Sequence, residues 1–422
     1  MVMKKTDLGL FPIDWSVSDW SSVLDGFTSG ATPSRAIKDY FKGNIRWITS
    51  GELNYNIIID TIEHISKDAV KQTNLTVHPA GTFLMAITGL EAEGTRGSCG
   101  IIGKESTTNQ SCLAIYGTSR LMIPYLFYFY VKYGDWLAKH YCQGTKQQSY
   151  TASLVKQLPI IYPPSIEEQR CITEVLSDVD NLISSLQKLI EKKKAIKQGA
   201  MQELLTGKKR LPGFYGEWKR EQLPELLQEQ NGIKIGPFGS QLKKEYLIDI
   251  GEFKVYGQEN VYEKDFRLGT RYIPKERYLK LKSCELLPGD FVISSMGTVG
   301  KCAIVPQNIQ IGIMDSHLIR LKFNCKKIIP QYILQLFSDE FDFLRNQIEK
   351  LSVGGIMDGL STKIVQSLHA FYPVNIDEQK AICAILNDMD DEIAQLEKKL
   401  AKYQQIKQGM MQELLTGRIR LV

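Results

Sequence analysis

The chain has 422 residues, 43% hydrophobic and 23% charged, and its 52 Lys and Arg exceed 47 Asp and Glu by five charges. That is apolar material for more than one core, so two or more domains are expected, and the small positive balance agrees with a nucleic-acid partner without requiring one. The longest apolar run, Leu121 to Val131, is too short to span a bilayer, and the N-terminus lacks the apolar segment of a signal peptide. The cytoplasm is the expected location. Eight cysteines form no Cys-x-x-Cys pair and five histidines show no ligand spacing, which favours buried thiols and no metal site.

Residues 1–155 form a first variable segment in which β-type runs such as "FLMAI" (Phe83 to Ile87) alternate with Gly, Ser, Thr and Asn turns. This is the pattern of an α/β domain with a strongly curved sheet and polar loops. Ser34 to Trp47 interleaves Arg35, Lys38, Lys42 and Arg46 with Tyr40, Phe41 and Trp47. Cations in such a loop neutralise phosphates, and Arg, Gln or Ser can read base edges. Arg35, Lys38, Arg46 and Ser50 are therefore candidate DNA contacts, together with Arg96 in "GTRGSCG" and Lys146 and Gln147 in "GTKQQSYT".

Residues 156–211 are a helical region that recurs at 366–422. Ile161 to Leu211 aligns without a gap on Phe371 to Leu421, and 26 of the 51 pairs are identical. Ser165 and Asn375 stand three residues before Glu168 and Glu378, a capping-box start. Apolar positions then run Ile172, Leu176, Val179, Ile183, Leu186, Ile190 in one copy and Ile382, Leu386, Met389, Ile393, Leu396, Leu400 in the other. That spacing predicts a coiled-coil seam, and two such rods in one chain predict an antiparallel pair with a pseudo-twofold repeat. Gly207 and Gly417 suit the left-handed C-cap. Identity is densest in "IKQGAMQELLTG" and "IKQGMMQELLTG", where Lys197, Gln198, Gln202, Glu203 and their counterparts Lys407, Gln408, Gln412, Glu413 are polar and not dictated by a core. They are the candidate surface for two copies of one partner. Glu191 to Arg210 also carries seven Lys and Arg against two Glu, which a solvated helix face or nucleic acid would explain.

Residues 212–365 form a second variable segment. Trp218 matches Trp15, "MGTVGKCAIV" (Met296 to Val305) resembles "GTRGSCGIIG" (Gly94 to Gly103), and "DFVIS" and "AFYPV" are further strand-like runs. The candidate DNA contacts here are Lys234, Ser240, Gln241 and Lys243 around "IGPFGSQLKKEY", then Gln258, Asn260, Thr298 and Lys301.

The duplicated "EEQ" and "DEQ" helix starts, the repeated rod ends, "TPSRAIKDYFKGNIRWITSGEL" and "IGPFGSQLKKEY" together resemble the specificity subunit of Type I restriction-modification systems over the full length. The resemblance implies an α+β chain of two target recognition domains, each reading half of a split duplex DNA site, joined by the two long helices as a spacer. It also implies two modification subunits docked on the helices, and restriction subunits where cleavage occurs. S-adenosylmethionine would then belong to the modification subunit, and ATP and Mg to the restriction subunit, with no cofactor in this chain. The residues agree: "YPPS" lacks the asparagine of an adenine-methylation motif, and "GTVGKC" has two residues rather than four between its glycines and so is no P-loop. The alternative reading is a two-domain coiled-coil scaffold that joins protein partners without DNA.

A spacer role has a measurable consequence. Deleting one heptad from both seams, Val179 to Ser185 with Met389 to Gln395, keeps the seam in phase and shortens the rods by roughly 10 Å, about three base pairs. The methylated motif should keep both half-sites and lose one to three base pairs of the unread gap; an active variant with the parental gap would show that the rods do not set it.

Overall fold

A computed structural model describes residues 2–90, 95–144, 148–229, 232–351 and 359–421. The chain divides into two compact units, Met1–Gln187 with Lys398–Val422, and Lys188–Glu397. The division falls within the two long helices, Ile166–Leu204 and Ile376–Leu414, each of 39 residues.

In the first unit a five-stranded sheet runs in the order Asp25–Ser29, Cys112–Tyr116, Phe83–Ala86, Cys99–Ile102, Asn56–Ile58, and only its last pair is parallel. Beside it, Ile45–Ile48 lies between Ser106–Thr108, parallel, and Glu63–Ile65, antiparallel. The apolar run at Leu121 to Val131 falls mostly in a helix, Ile123–Tyr141, that supplies the core: Tyr125, Leu126, Phe129, Tyr130 and Leu137 are buried, with Trp20 edge-on to Phe83 and Tyr130. Side chains of this size each contribute roughly 1.5–3 kcal/mol on burial, so this helix anchors the unit.

The second unit repeats the plan. Phe253–Tyr256 lies between Gly312–Met314, parallel, and Tyr272–Ile273, antiparallel, and a four-stranded sheet runs Ile233–Ile235, Leu318–Leu321, Phe291–Ser294, Cys302–Ile304. Ser16–Asp19 pairs with Pro159–Tyr162 just as Trp218–Gln222 pairs with His369–Pro373. "FLMAI", "DFVIS" and "AFYPV" thus supply strands as expected. The variable segments share a fold that their sequences barely show. Among the described residues no helix is long and apolar enough to cross a membrane, and all eight cysteines are free thiols.

Every seam position of the two long helices is buried or half-buried. Within each unit the helices run antiparallel, as paired charges show: Lys407 meets Asp180 at 2.6 Å in the first unit, and Lys197 meets Asp390 at 2.5 Å in the second. These are the same pair of positions twice, since each member recurs at the offset of 210. The helix starts obey the same rule. Ser165 and Asn375 cap the amides of Glu168 and Glu378 at 3.4 Å, but the reciprocal half of the expected capping box is missing. The carboxylates turn instead to a guanidinium from the end of the other copy: Arg420 grips Glu168, and Arg210 grips Glu378 at 2.6 and 2.7 Å. The adjacent Gln169 and Gln379 are fully buried. Each amide donates to two carbonyls (Pro163 and Arg120; Pro373 and Lys327) and accepts from the amide opening the next helix, Met122 or Ile329.

Gly207 and Gly417 end the helices at φ +68° and +66°, as the C-cap reading requires, and each abuts a tryptophan: a Cβ on Gly207 would meet Trp218 at 3.2 Å, and one on Gly417 would meet Pro12 at 2.5 Å and Trp15 at 3.0 Å. Arg420 also reaches Asp14 at 2.9 Å, so residues 12–15 lie against the end of the second helix.

Two outcomes follow. Arg420→Ala leaves the Glu168 carboxylate, 1% exposed, without its guanidinium, and should lower unfolding stability by about 3 kcal/mol, read by urea denaturation; Arg420→Ala with Glu168→Gln should recover part of the loss. A circular permutant opened near Pro212 with the present ends joined should fold and show an unchanged circular-dichroism spectrum, and failure to fold would refute the docking of residues 12–15 on the end of the second helix.

Candidate nucleic-acid interface

In the first unit the Ser34 to Trp47 loop is ordered by its own charges. Both Nη atoms of Arg35 donate to the two oxygens of Glu63, at 2.6 and 2.7 Å, while its guanidinium lies 4.6 Å from the Phe41 ring and 5.6 Å from Trp47. That hydrogen bond holds the Glu63 carboxyl below the usual range. Arg46 lies 3.3 Å from Asp60, which also bonds His64 at 2.9 Å. Lys38 is exposed, and Ser50, half-buried, opens the short helical turn Ser50–Glu52 just after the central strand. Glu52 fixes that turn by accepting from the amides of Thr49 and Ile62. Arg96 meets Gln148 at 3.3 Å and Asp135 at 3.9 Å. Lys146 and Gln147 lie outside the described residues.

The second unit gathers its polar groups after the equivalent strand. Gln258, half-buried, opens the helix Gln258–Tyr262, and the hydroxyl of Tyr262 sits 3.1 Å from Gln258 Oε1, 3.0 Å from the Met296 carbonyl and 3.0 Å from the Thr298 amide. Gln258 and Thr298 are thereby brought together. Ser240, Gln241 and Lys243 are exposed in the preceding loop, with Lys243 3.5 Å from Glu245. Lys234 is half-buried in the strand Ile233–Ile235, opposite Arg320.

The geometry corrects four readings. Asn260 is fully buried: its Oδ1 accepts from the Gly257 amide and its Nδ2 donates to the carbonyls of Asp265 and Leu268, so it shapes the turn and cannot reach DNA. Lys197, 4% exposed, and Lys407 belong to the internal pairs with Asp390 and Asp180 and leave the partner surface; Gln198, Gln202, Glu203, Gln408 and Gln412 remain exposed and Glu413 half so. The basic stretch from Glu191 is largely answered within the second unit, where Lys193 meets Glu392 at 2.6 Å and Lys194 meets Glu397 at 2.7 Å. Lys301 pairs with Asp339 at 2.5 Å on the wall of a cleft of about 900 Å³ that Lys194, Lys197 and Thr298 also line, so none of these three lysines offers an unpaired ammonium there.

Arg271 was not singled out by the sequence. Its Nη1 donates to Asp315 at 3.0 Å and its Nη2 to Glu259 at 2.8 Å, against the backbone of Gly257, and His317 lies 3.3 Å from the same Asp315. One signal was available, since Gly269-Thr270-Arg271 repeats the Gly94-Thr95-Arg96 triplet. Asp315, buried between them, had none.

Comparison with known proteins agrees with this arrangement of two polar loop clusters on a duplicated framework. The chain is 23% identical over 97% of its length to the Type I restriction enzyme MjaVIII specificity subunit of Methanocaldococcus jannaschii, 94% of which is covered. It is 34% identical over 44% of its length to the MjaIX specificity subunit of the same organism, covering 42% of that protein. Its fold is similar to the crystal structure of the Type I restriction-modification S subunit from M. genitalium, with a TM-score of 0.61, 17% identity and coverage of 98% and 99% of the two chains. The family described as the Type I restriction modification DNA specificity domain matches residues 12–198 and 235–408, and the chain belongs to that family: it is a component that recognises DNA sequence in a restriction-modification system.

Proposed function

We propose that this chain reads a split, asymmetric duplex DNA sequence, one half-site for each recognition domain, and carries two modification subunits on its rod ends without catalysing a reaction itself. The observation that supports this most directly is the contrast between a repeated strand framework and unlike polar loops: Arg35 on Glu63 in one domain, Arg271 on Asp315 and Glu259 in the other. Two different readers on one scaffold suit a non-palindromic site, whereas a symmetric dimer suits a palindrome. The chemistry then lies in the partners, with S-adenosylmethionine and adenine methylation in the modification subunit and ATP with Mg in a restriction subunit.

The identical groups Gln198, Gln202, Glu203 and Gln408 are exposed and, among the described residues, make no side-chain contact between the two long helices, which supports a repeated partner surface; Gln412 is exposed as well and accepts from Lys132 of the core helix. In the second unit Gln202 and Thr206 border a cleft of about 650 Å³ lined by Phe341, Phe343 and Phe371, chemistry that suits a protein partner.

Methylome sequencing of a host carrying this protein with its modification subunit should return a split, non-palindromic motif. Duplex binding by the purified complex should weaken linearly in log[salt]; salt-independent association with proteins and none with DNA would favour the scaffold reading. Replacing Gln202 and Glu203 by Ala and Lys, or Gln412 and Glu413 likewise, should each remove one of two modification subunits, measured as complex mass at low micromolar concentration. Retention of both would rule out the repeated surface.

A further inference from the structure

We propose that Arg35 and Arg271 are specificity-determining residues, each reading the guanine edge of one G·C pair, in different half-sites. The inference rests on the reading of the chain as a DNA-recognition subunit and concerns which atoms do the reading.

The two three-stranded sheets correspond strand for strand, which fixes an alignment that sequence could not. Trp47 pairs with Glu63 across the ladder, and the Val255 amide donates to the Arg271 carbonyl at the matching step, so Glu63 and Arg271 hold the same position. Gly30 to Tyr40 matches Gly236 to Tyr246, which sets Gln241 where Arg35 stands. Two details hold this alignment in place. Glu52 and Asn260 cap the amides of Thr49 and Gly257 three residues earlier. Asn109 and Asp315 each accept from the amide two residues on.

In this common frame a guanidinium sits over the end of the antiparallel strand in both domains, yet a different part of the chain supplies it. In the first it reaches across from the loop, Arg35 onto Glu63; in the second it rises from the strand position itself, Arg271, and position 241 is Gln. The chemical group is kept while its root and its carboxylate partners change. Folding alone does not ask for that, because Glu63 with Arg35 and Arg271 with Asp315 satisfy each other by unlike routes. Reading different sequences with the one side chain best matched to guanine does.

The carboxylates hold each planar fork in a set orientation while leaving it accessible, with side-chain exposures of 59% for Arg35 and 35% for Arg271. Among the described residues neither Nε donates to a protein group, so a donor edge remains for the O6 and N7 of guanine. The neighbouring Lys38, Lys243 and Lys244 are exposed point charges suited to phosphate.

The test uses the full chain co-expressed with its modification subunit in a host without other methylation, with the methylome as readout. Arg35→Lys and Arg271→Lys keep the charge and can keep the carboxylate pairs but lose the fork. Each should relax one G·C position, lowering the ratio of cognate to non-cognate modification about tenfold to a hundredfold, and the two variants should affect opposite half-sites. If Arg271→Lys accumulates unfolded, Glu259→Gln retains Arg271 on Asp315 alone and should degrade that same single position. Full specification at every position in these variants, an even loss over all sequences, or both variants altering one half-site would overturn the proposal. A wild-type complex that methylates no split motif would instead overturn the functional reading beneath it.

Discussion

A guanidinium from the end of each repeat closes on a carboxylate at the start of the other, and most of the chain hangs on those two contacts. Glu168 and Glu378 are almost fully buried, a position an ionised carboxylate tolerates only with a charge-matched, two-pronged partner. Arg420 and Arg210 supply it. Because each pair joins opposite copies, neither helix start is complete without the other helix end. The glutamine beside each carboxylate passes the constraint outward, since its amide is fixed by the turn before the long helix and in turn fixes the N-cap residue, Met122 or Ile329, of a helix that packs in the domain core.

The same logic divides the repeated residues by what they do. Identity across the two copies marks a shared constraint, and for four of those residues its source is internal, which sequence cannot show. Asp180, Lys407, Asp390 and Lys197 are kept because they meet each other; Gln198, Gln202 and Gln408 meet nothing in the helix pair. A lysine on a seam position reads as a surface residue until its carboxylate is known to lie across from it. This is why Lys197 seemed part of a partner surface.

Legibility followed locality. The seam, the glycine C-caps and the strands at Phe83 and Phe291 depend on neighbours within a few residues, and residue type and spacing alone pointed to them. Asn260 and Arg271 depend on residues brought together by the sheet. Asn260 reads as a polar loop residue and is a fully buried cap, whereas Arg271, which the sequence did not single out, stands between two acids separated from each other by 56 positions, Glu259 and Asp315. The Arg35 loop was legible as a cluster, but its clamp on Glu63, which gives the cluster one geometry, was not.

The paired charges also govern how the scaffold can change over generations. Asp180 and Lys197 are separated by the same 17 positions as Asp390 and Lys407, and each end of one span is paired with an end of the other. A single residue inserted into one span turns everything beyond it by about 100° around the helix axis, and carries one lysine off the seam while its counterpart stays. A change of length therefore stays compatible with both pairs most easily in whole heptads, which return each lysine to the seam.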